Sequence, residues 1–286
     1  VYFLRDGSHR PDPIVFIPRS RPAFLHSVAM SERYVVLSEM PYLVDLPRML
    51  TLGLRNKPGI DAVDWRGDEP LTLFVIDKAE RKVVARVEAP ASFYFHATNA
   101  FDDGDDVVVD LCTYPDDEVI RELYLARLQG PTGGEISPAA LVRYRVNVPT
   151  GRITMDPITD VSVEFPRGNP HNDNRPYRYT YALSINDAVP NDAANQLVKV
   201  DVTTGDTKTW FEPACYPGEP LMVPRPESSV EDDGVVLCVV LDAKVPASML
   251  LILDAQSFTE IGRAYVPVVI PFGFHGQTLP EEATRQ

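Results

Sequence analysis

The chain has 286 residues, with 27 basic against 41 acidic side chains and a formal charge of -14. That balance argues against a nucleic-acid partner or an anionic-membrane footprint, since both need a basic face. No apolar run approaches the roughly 20 residues that span a bilayer. Cys112, Cys215 and Cys238 are far apart and show no CxxC spacing. This excludes a disulfide framework or a thiolate metal site and fits small buried residues in a reducing, cytoplasmic compartment.

Along the chain, short runs of Val, Ile, Leu, Tyr and Thr recur between turn clusters. They cover residues 34–37, 71–76, 82–87, 107–111, 141–146, 177–183, 197–202, 235–241 and 249–253. Each is bounded by Asp, Asn, Gly or Pro, which predicts short antiparallel strands. Helix is expected only over 41–55 and just after Pro115. The reading is all-β, with residues 1–286 forming a single domain.

A repeat runs through this pattern. LFVID closes on Asp77, VRYRVN on Asn147, LVKVD on Asp201 and LLILD on Asp254, and two of these continue as PTG or TTG. An apolar strand ending on such a turn predicts a hairpin to the next strand. The last two intervals are 54 and 53 residues, a spacing that suits propeller blades of four strands. On that period the chain holds about five blades. The rest of a larger ring is expected upstream of Val1, so the chain reads as truncated.

The histidines separate by context. His26 and His96 each precede a polar turn and then an apolar strand, and Glu164 and Glu219 occupy the same position in later units. His275, in FGFHGQ, ends the next unit. Intervals of 70, 68, 55 and 56 residues separate these five. In a propeller, equivalent residues of successive blades converge on the axis, where unpartnered ionisable groups would be costly. Three neutral imidazoles offer a site for a divalent metal, with carboxylates orienting them through the far ring nitrogen. Such a donor set suits iron, copper, zinc or nickel better than calcium or magnesium. His9 and His171 lie in turn-like segments and read as surface residues.

The segments FLHSVAMSERYVVLSE, FYFHATNAFDDGDDVVVDLC, EFPRGNPHNDNRPYRYTYAL, YPGEPLMVPRPESSVEDDGVVLCVVL and SMLLILDAQSFTEIGRAYVPVVIPFGFHG resemble the carotenoid cleavage oxygenase family. The resemblance runs from about Phe16 to Gly276. It implies a seven-bladed propeller whose axis holds Fe(II) on four histidines backed by three glutamates. His26, His96 and His275 look like the second, third and fourth ligands, and Glu164 and Glu219 like the second and third glutamates. The family's first histidine and glutamate lie upstream of His26. The chain thus resembles the C-terminal five-sevenths of the domain, and alone it is expected to be poorly soluble, to hold iron weakly and not to cleave carotenoid.

The reaction this resemblance implies is cleavage of a conjugated C=C bond of a carotenoid or apocarotenoid by O2, giving aldehyde or ketone products of apocarotenal or retinal type. GxSxG, HExxH, GxGxxG and P-loop patterns are absent from the sequence. Phe95 and Phe274, next to ligands, read either as blade packing or as contacts to the apolar polyene. The apolar segment Met40–Leu54 resembles the family's tunnel mouth, which rests peripherally on a membrane, and equally reads as a helix buried against a neighbouring blade. The acidic runs 102–106 and 231–233 read as solvated turns rather than calcium loops. Two other functions stay open: a dioxygenase of stilbene-type phenolic alkenes, and an inactive propeller that only binds partners.

Overall fold

The computed structural model describes residues 1–4, 7–130, 134–189, 193–245 and 247–277. It opens with a two-stranded ribbon of β1 (Tyr2–Phe3) and β2 (Asp12–Pro13). Then come β3 (Ala29–Met30) and β4 (Tyr34–Glu39). An excursion follows, in which β5 (Tyr42–Val44) and β6 (Val63–Trp65) pair and flank α1 (Leu46–Leu54). The chain returns as β7 (Leu71–Asp77) and β8 (Lys82–Ala89), completing a sheet ordered β3-β4-β7-β8.

The next sheet is built from β9 (Phe93–Asp103) and β10 (Asp106–Tyr114), then α2 (Glu118–Glu122) and α3 (Leu125–Leu128), then β11 (Ala140–Asn147) and β12 (Arg152–Ser162). A third comprises β13 (Glu164–Arg167), β14 (Tyr179–Ser184), β15 (Gln196–Asp201) and β16 (Thr207–Phe211). The last contains β17 (Cys215–Pro217), β18 (Leu221–Pro224), β19 (Gly234–Asp242), β20 (Ala247–Asp254) and β21 (Glu260–Val266). Both β17 and β18 pair with β19. The described residues thus form four antiparallel sheets of four or five strands and two two-stranded pairs, β1-β2 and β5-β6, one four-stranded unit short of the expected count of about five.

The chain divides into two compact units. One is Val1–Glu118 with Val142–Asp156 and Asn174–Pro176. The other is Val119–Leu141 and Pro157–Asp173 with the chain from Tyr177 onward.

The sequence repeat has a physical origin in the turn after each sheet's third long strand. Asp77, Asn147, Asp201 and Asp254 end β7, β11, β15 and β20, and each side chain accepts backbone N–H groups just ahead: Ala79 and Glu80 on Asp77, Thr150 on Asn147, Thr203 on Asp201, and Ser257 on Asp254. The residue four places on donates its N–H to the same residue's carbonyl at 2.8–2.9 Å and takes positive φ: Arg81, Gly151, Gly205 and Phe258. Glycine fits that conformation without strain, which explains PTG and TTG. The other two turns carry the strain on Arg81 and Phe258.

Burial follows position in the meander. Every residue of β7 is buried, so it reads as a continuous apolar run, whereas β8 alternates as a one-sided strand does. In the second unit Tyr181, Leu197, Trp210, Val236, Met249 and Leu251 form the core. Lys199 is buried among them, its ammonium donating to Asp232 (2.6 Å) and to the carbonyls of Ala255 (2.8 Å) and Gln256 (3.2 Å). With all three donors engaged, a buried cation is tolerable.

Two expectations are corrected here. No residue of α1 is buried, which removes the reading of Met40–Leu54 as a helix packed under a neighbouring blade. Its cap is polar, with Asp45 accepting the Arg48 N–H at 2.9 Å, while Leu46, Leu50 and Leu54 project at four-residue spacing and are 50%, 71% and 90% exposed. The acidic runs are more than solvated turns. Asp102 accepts from Ser31 Oγ (2.7 Å) and the Arg33 N–H (3.0 Å), and Glu231 accepts the N–H groups of Arg178 and Tyr179. Both pin loops.

Candidate metal centre

In the first unit His96 lies on β9 and His26 in the irregular segment before β3. The pairing of β9 with β10 explains how His96 is aimed. Ala97 faces Leu111 and Tyr94 faces Thr113, so Phe95 and His96 together oppose the single residue Cys112. Such a bulge bends the strand and redirects its side chains. His26 is carried by a segment held to β5, where Phe24 N–H donates to Tyr42 O at 2.8 Å. The two imidazoles meet edge to face with ring centroids 5.1 Å apart.

Aromatic rings frame this pair. Phe95 meets His26 edge-on at 5.3 Å, and Phe93 meets Phe95 at 4.8 Å. Phe24 stacks on both His26 and Phe93. Phe95 is half-buried, so it both packs its blade and keeps a surface beside the histidines.

The second unit holds His275 differently. His275 Nδ1 lies 2.9 Å from Glu219 Oε1. A carboxylate only accepts, so Nδ1 is the donor in this contact. Arg167 pairs with the same carboxylate, Nη2 donating to Oε2 at 3.0 Å with Nε 2.9 Å from Oε1, and the Gly276 N–H donates to Oε2 at 2.8 Å. Burial pushes the Glu219 carboxyl upward, but Arg167, Gly276 and His275 outweigh it and hold it below its ordinary value.

Glu164 opens β13, and its carboxylate accepts the N–H of Phe165 at 2.7 Å. Glu164 faces Leu183 and Arg167 faces Tyr181, so here too a bulge follows the site residue, with Phe165 at φ 52°. The Phe165 ring lies 5.4 Å from His275 and stacks on Phe274 at 6.4 Å. Phe274 itself is largely exposed. Arg167 and Phe165 escaped the sequence reading, although both stand in the EFPRGNPH segment. His9 and His171 are exposed as expected, and Cys112, Cys215 and Cys238 are buried thiols outside any disulfide.

Residues 1–278 match the model of the retinal pigment epithelial membrane protein family. The chain belongs to that family. Among curated relatives it is 33% identical to a carotenoid isomerooxygenase of Galleria mellonella, over 91% of this chain and 53% of the relative. It is 35% identical to carotenoid cleavage dioxygenase 8 homolog A, chloroplastic, of Oryza sativa subsp. japonica, over 91% of this chain and 48% of that protein. The structure of cobalt-substituted Synechocystis ACO superposes with a TM-score of 0.78 at 26% identity, covering 89% of this chain and 53% of that one. The family member described here therefore spans about half the length of the relatives it matches. Its sheets are propeller-type meanders.

The donor chemistry fits a divalent transition metal. His26 and His96 are adjacent imidazoles, and His275 offers Nε2 with Nδ1 fixed by a carboxylate, the usual support for a metal-bound histidine. Among the described residues, no helix is long and apolar enough to cross a membrane.

Proposed function

We propose that this chain carries most of the iron-binding residues of a dioxygenase that cleaves a conjugated C=C bond of a carotenoid or apocarotenoid with O2, giving aldehyde or ketone products. One observation carries the reading: two imidazoles 70 residues apart in sequence stand ring to ring at 5.1 Å in a member of this family. His26, His96 and His275 would hold the ion, and Glu219 and Glu164 would fix the imidazoles from behind. When bound, Fe(II) supplies the redox chemistry that activates O2.

The chain's own residues supply orientation and exclusion of water. Glu219 holds a proton of His275 on Nδ1, so that the neutral imidazole would present Nε2 to the ion. Neutral imidazole donors leave the ion its full charge, and Arg167 balances Glu219 so that the carboxylate stays a hydrogen-bond acceptor. Phe95, Phe93 and Phe24 give the histidine pair an apolar flank suited to a polyene, and Phe274 is the matching candidate beside His275. The exposed leucines of α1 are the part of Met40–Leu54 that would rest on a membrane surface where such substrates dissolve. The 1–286 segment then acts as one catalytic domain in a cytoplasmic, peripherally bound protein.

The test is Fe(II) binding under anaerobic conditions, followed by O2 and an apocarotenal in detergent. His26→Ala, His96→Ala and His275→Ala should each lower Fe(II) affinity at least tenfold, and the 286-residue chain alone, which spans about half the length of its relatives, should release no aldehyde. Unchanged affinity in all three variants would overturn the reading.

A further inference from the structure

His26 poses a positioning problem. It sits outside any strand, in the irregular segment just before β3. The residue beside it ties that segment to β9. Ser27 Oγ donates to the carbonyl of Phe95 and accepts the N–H of Ala97 at 3.3 Å. Phe95 and Ala97 are the two neighbours of His96. A single hydroxyl therefore ties the residue after one imidazole to both flanks of the other.

A second group holds that tie in place. The Tyr94 hydroxyl lies on the carbonyls of Ser38 (2.8 Å) and Ser27 (3.1 Å), and its ring is fully buried. Tyr94 precedes the bulge, and Ser38 lies on β4. The hydroxyl thus joins the His26 segment to the middle of its own sheet from the β9 side. The bulge explains why this arrangement is needed. Phe95 falls outside the register of β9 with β10, and a backbone carbonyl that a bulge takes out of the ladder needs another donor. Ser27 supplies it.

We propose that Ser27 and Tyr94 form a clamp that sets the spacing of the His26 and His96 imidazoles, acting as positioning residues for the metal site. The inference rests on the metal reading above, and its test separates the two. Ser27→Ala, Ser27→Thr and Tyr94→Phe are made in the 286-residue chain. Amide hydrogen exchange at Ala97 reports the clamp without metal, and titration with Co2+, followed by its visible spectrum, reports the site.

Ser27→Ala should speed Ala97 exchange about tenfold and weaken Co2+ binding roughly 10–100-fold, the usual effect of losing a group that orients a ligand, with near-normal thermal unfolding. Ser27→Thr keeps the hydroxyl and should restore both readouts. Tyr94→Phe keeps the buried ring and should reproduce the Ser27→Ala pattern more weakly, which maintains the test if Ser27→Ala fails to fold. Unchanged exchange and unchanged Co2+ affinity in Ser27→Ala and Tyr94→Phe would overturn the clamp. So would a Ser27→Thr variant as impaired as Ser27→Ala, because the hydroxyl would then be irrelevant. A wild-type chain that binds no Co2+ overturns the metal reading instead, and Ala97 exchange alone then decides the clamp.

Discussion

In the first unit, His26 and His96 lean on rings and a hydroxyl, with Phe24, Phe93 and Phe95 around them and Ser27 beneath. In the second, His275 leans on charge, through Glu219, Arg167 and the Gly276 amide. Both units place a β-bulge on the first strand of a sheet next to the site residue. The backbone device is thus shared while the side-chain support is not. Apolar framing costs little to bury and suits a ligand facing an apolar substrate. A carboxylate bound to Arg167 fixes a tautomer, which packing cannot do.

The largest test of this contrast removes a ring. Phe93 is fully buried and touches Phe24, Tyr42 and Phe95. Phe93→Ala should cost about 3–5 kcal/mol, and the NMR signals of His26 and His96 should broaden while those of His275 hold. Equal disturbance of all three would break the contrast.

The two hairpin glycines compare the units at the backbone. A Cβ on Gly205 would lie 2.5 Å from the Ile158 carbonyl oxygen at φ +80°, whereas one on Gly151 at φ +70° finds only Val87 at 3.9 Å. Gly205→Ala should therefore lose roughly 2–4 kcal/mol, and Gly151→Ala, which carries conformational strain alone, about 1 kcal/mol. Denaturant melts of both decide it, and equal losses would contradict the close approach.

Glu219→Gln sharpens the charged side. The fold should persist and metal affinity should fall roughly 10–100-fold, because the amide no longer fixes the His275 proton. Iron binding equal to wild type would remove Glu219 from the site.

The smallest effect concerns acid. Arg263 and then Lys244 hold the Glu212 carboxyl down to about 2, against an ordinary 4.5. A depressed folded-state value stabilises the protein above the unfolded value and loses that contribution as pH falls toward 2. Relative to Glu212→Gln, wild type should be more stable by roughly 1–2 kcal/mol above pH 5 after allowance for solvent screening, with the difference shrinking through pH 2 and vanishing only below it.

Much of this was legible in the sequence because it depends on local chemistry. The turn residues Asp77, Asn147, Asp201 and Asp254 marked four hairpins, and equal placement of His26, His96, Glu164 and Glu219 in successive units singled out the candidate site residues. Helix after Pro115 appeared as α2 and α3, and the 41–55 stretch as β5 and α1. What escaped depends on register. The bulges at Phe95 and Phe165 leave no compositional trace, and an arginine such as Arg167 reads as surface until its carboxylate is known. Ser27 and Tyr94 become informative only when β9 is seen beside the His26 segment. The exposure of Leu46, Leu50 and Leu54 likewise could not be read from an apolar run that suits burial equally well.

The central claim is that His26, His96 and His275 serve one ion. Iron-edge X-ray absorption on Fe(II)-loaded chain, wild type and each histidine-to-alanine variant, addresses it most directly. The account predicts a nitrogen and oxygen ligand shell without sulfur, and imidazole scattering that weakens by one ring in every variant. Imidazole scattering that stays unchanged when His275 is removed, while falling with His26 and His96, would contradict it.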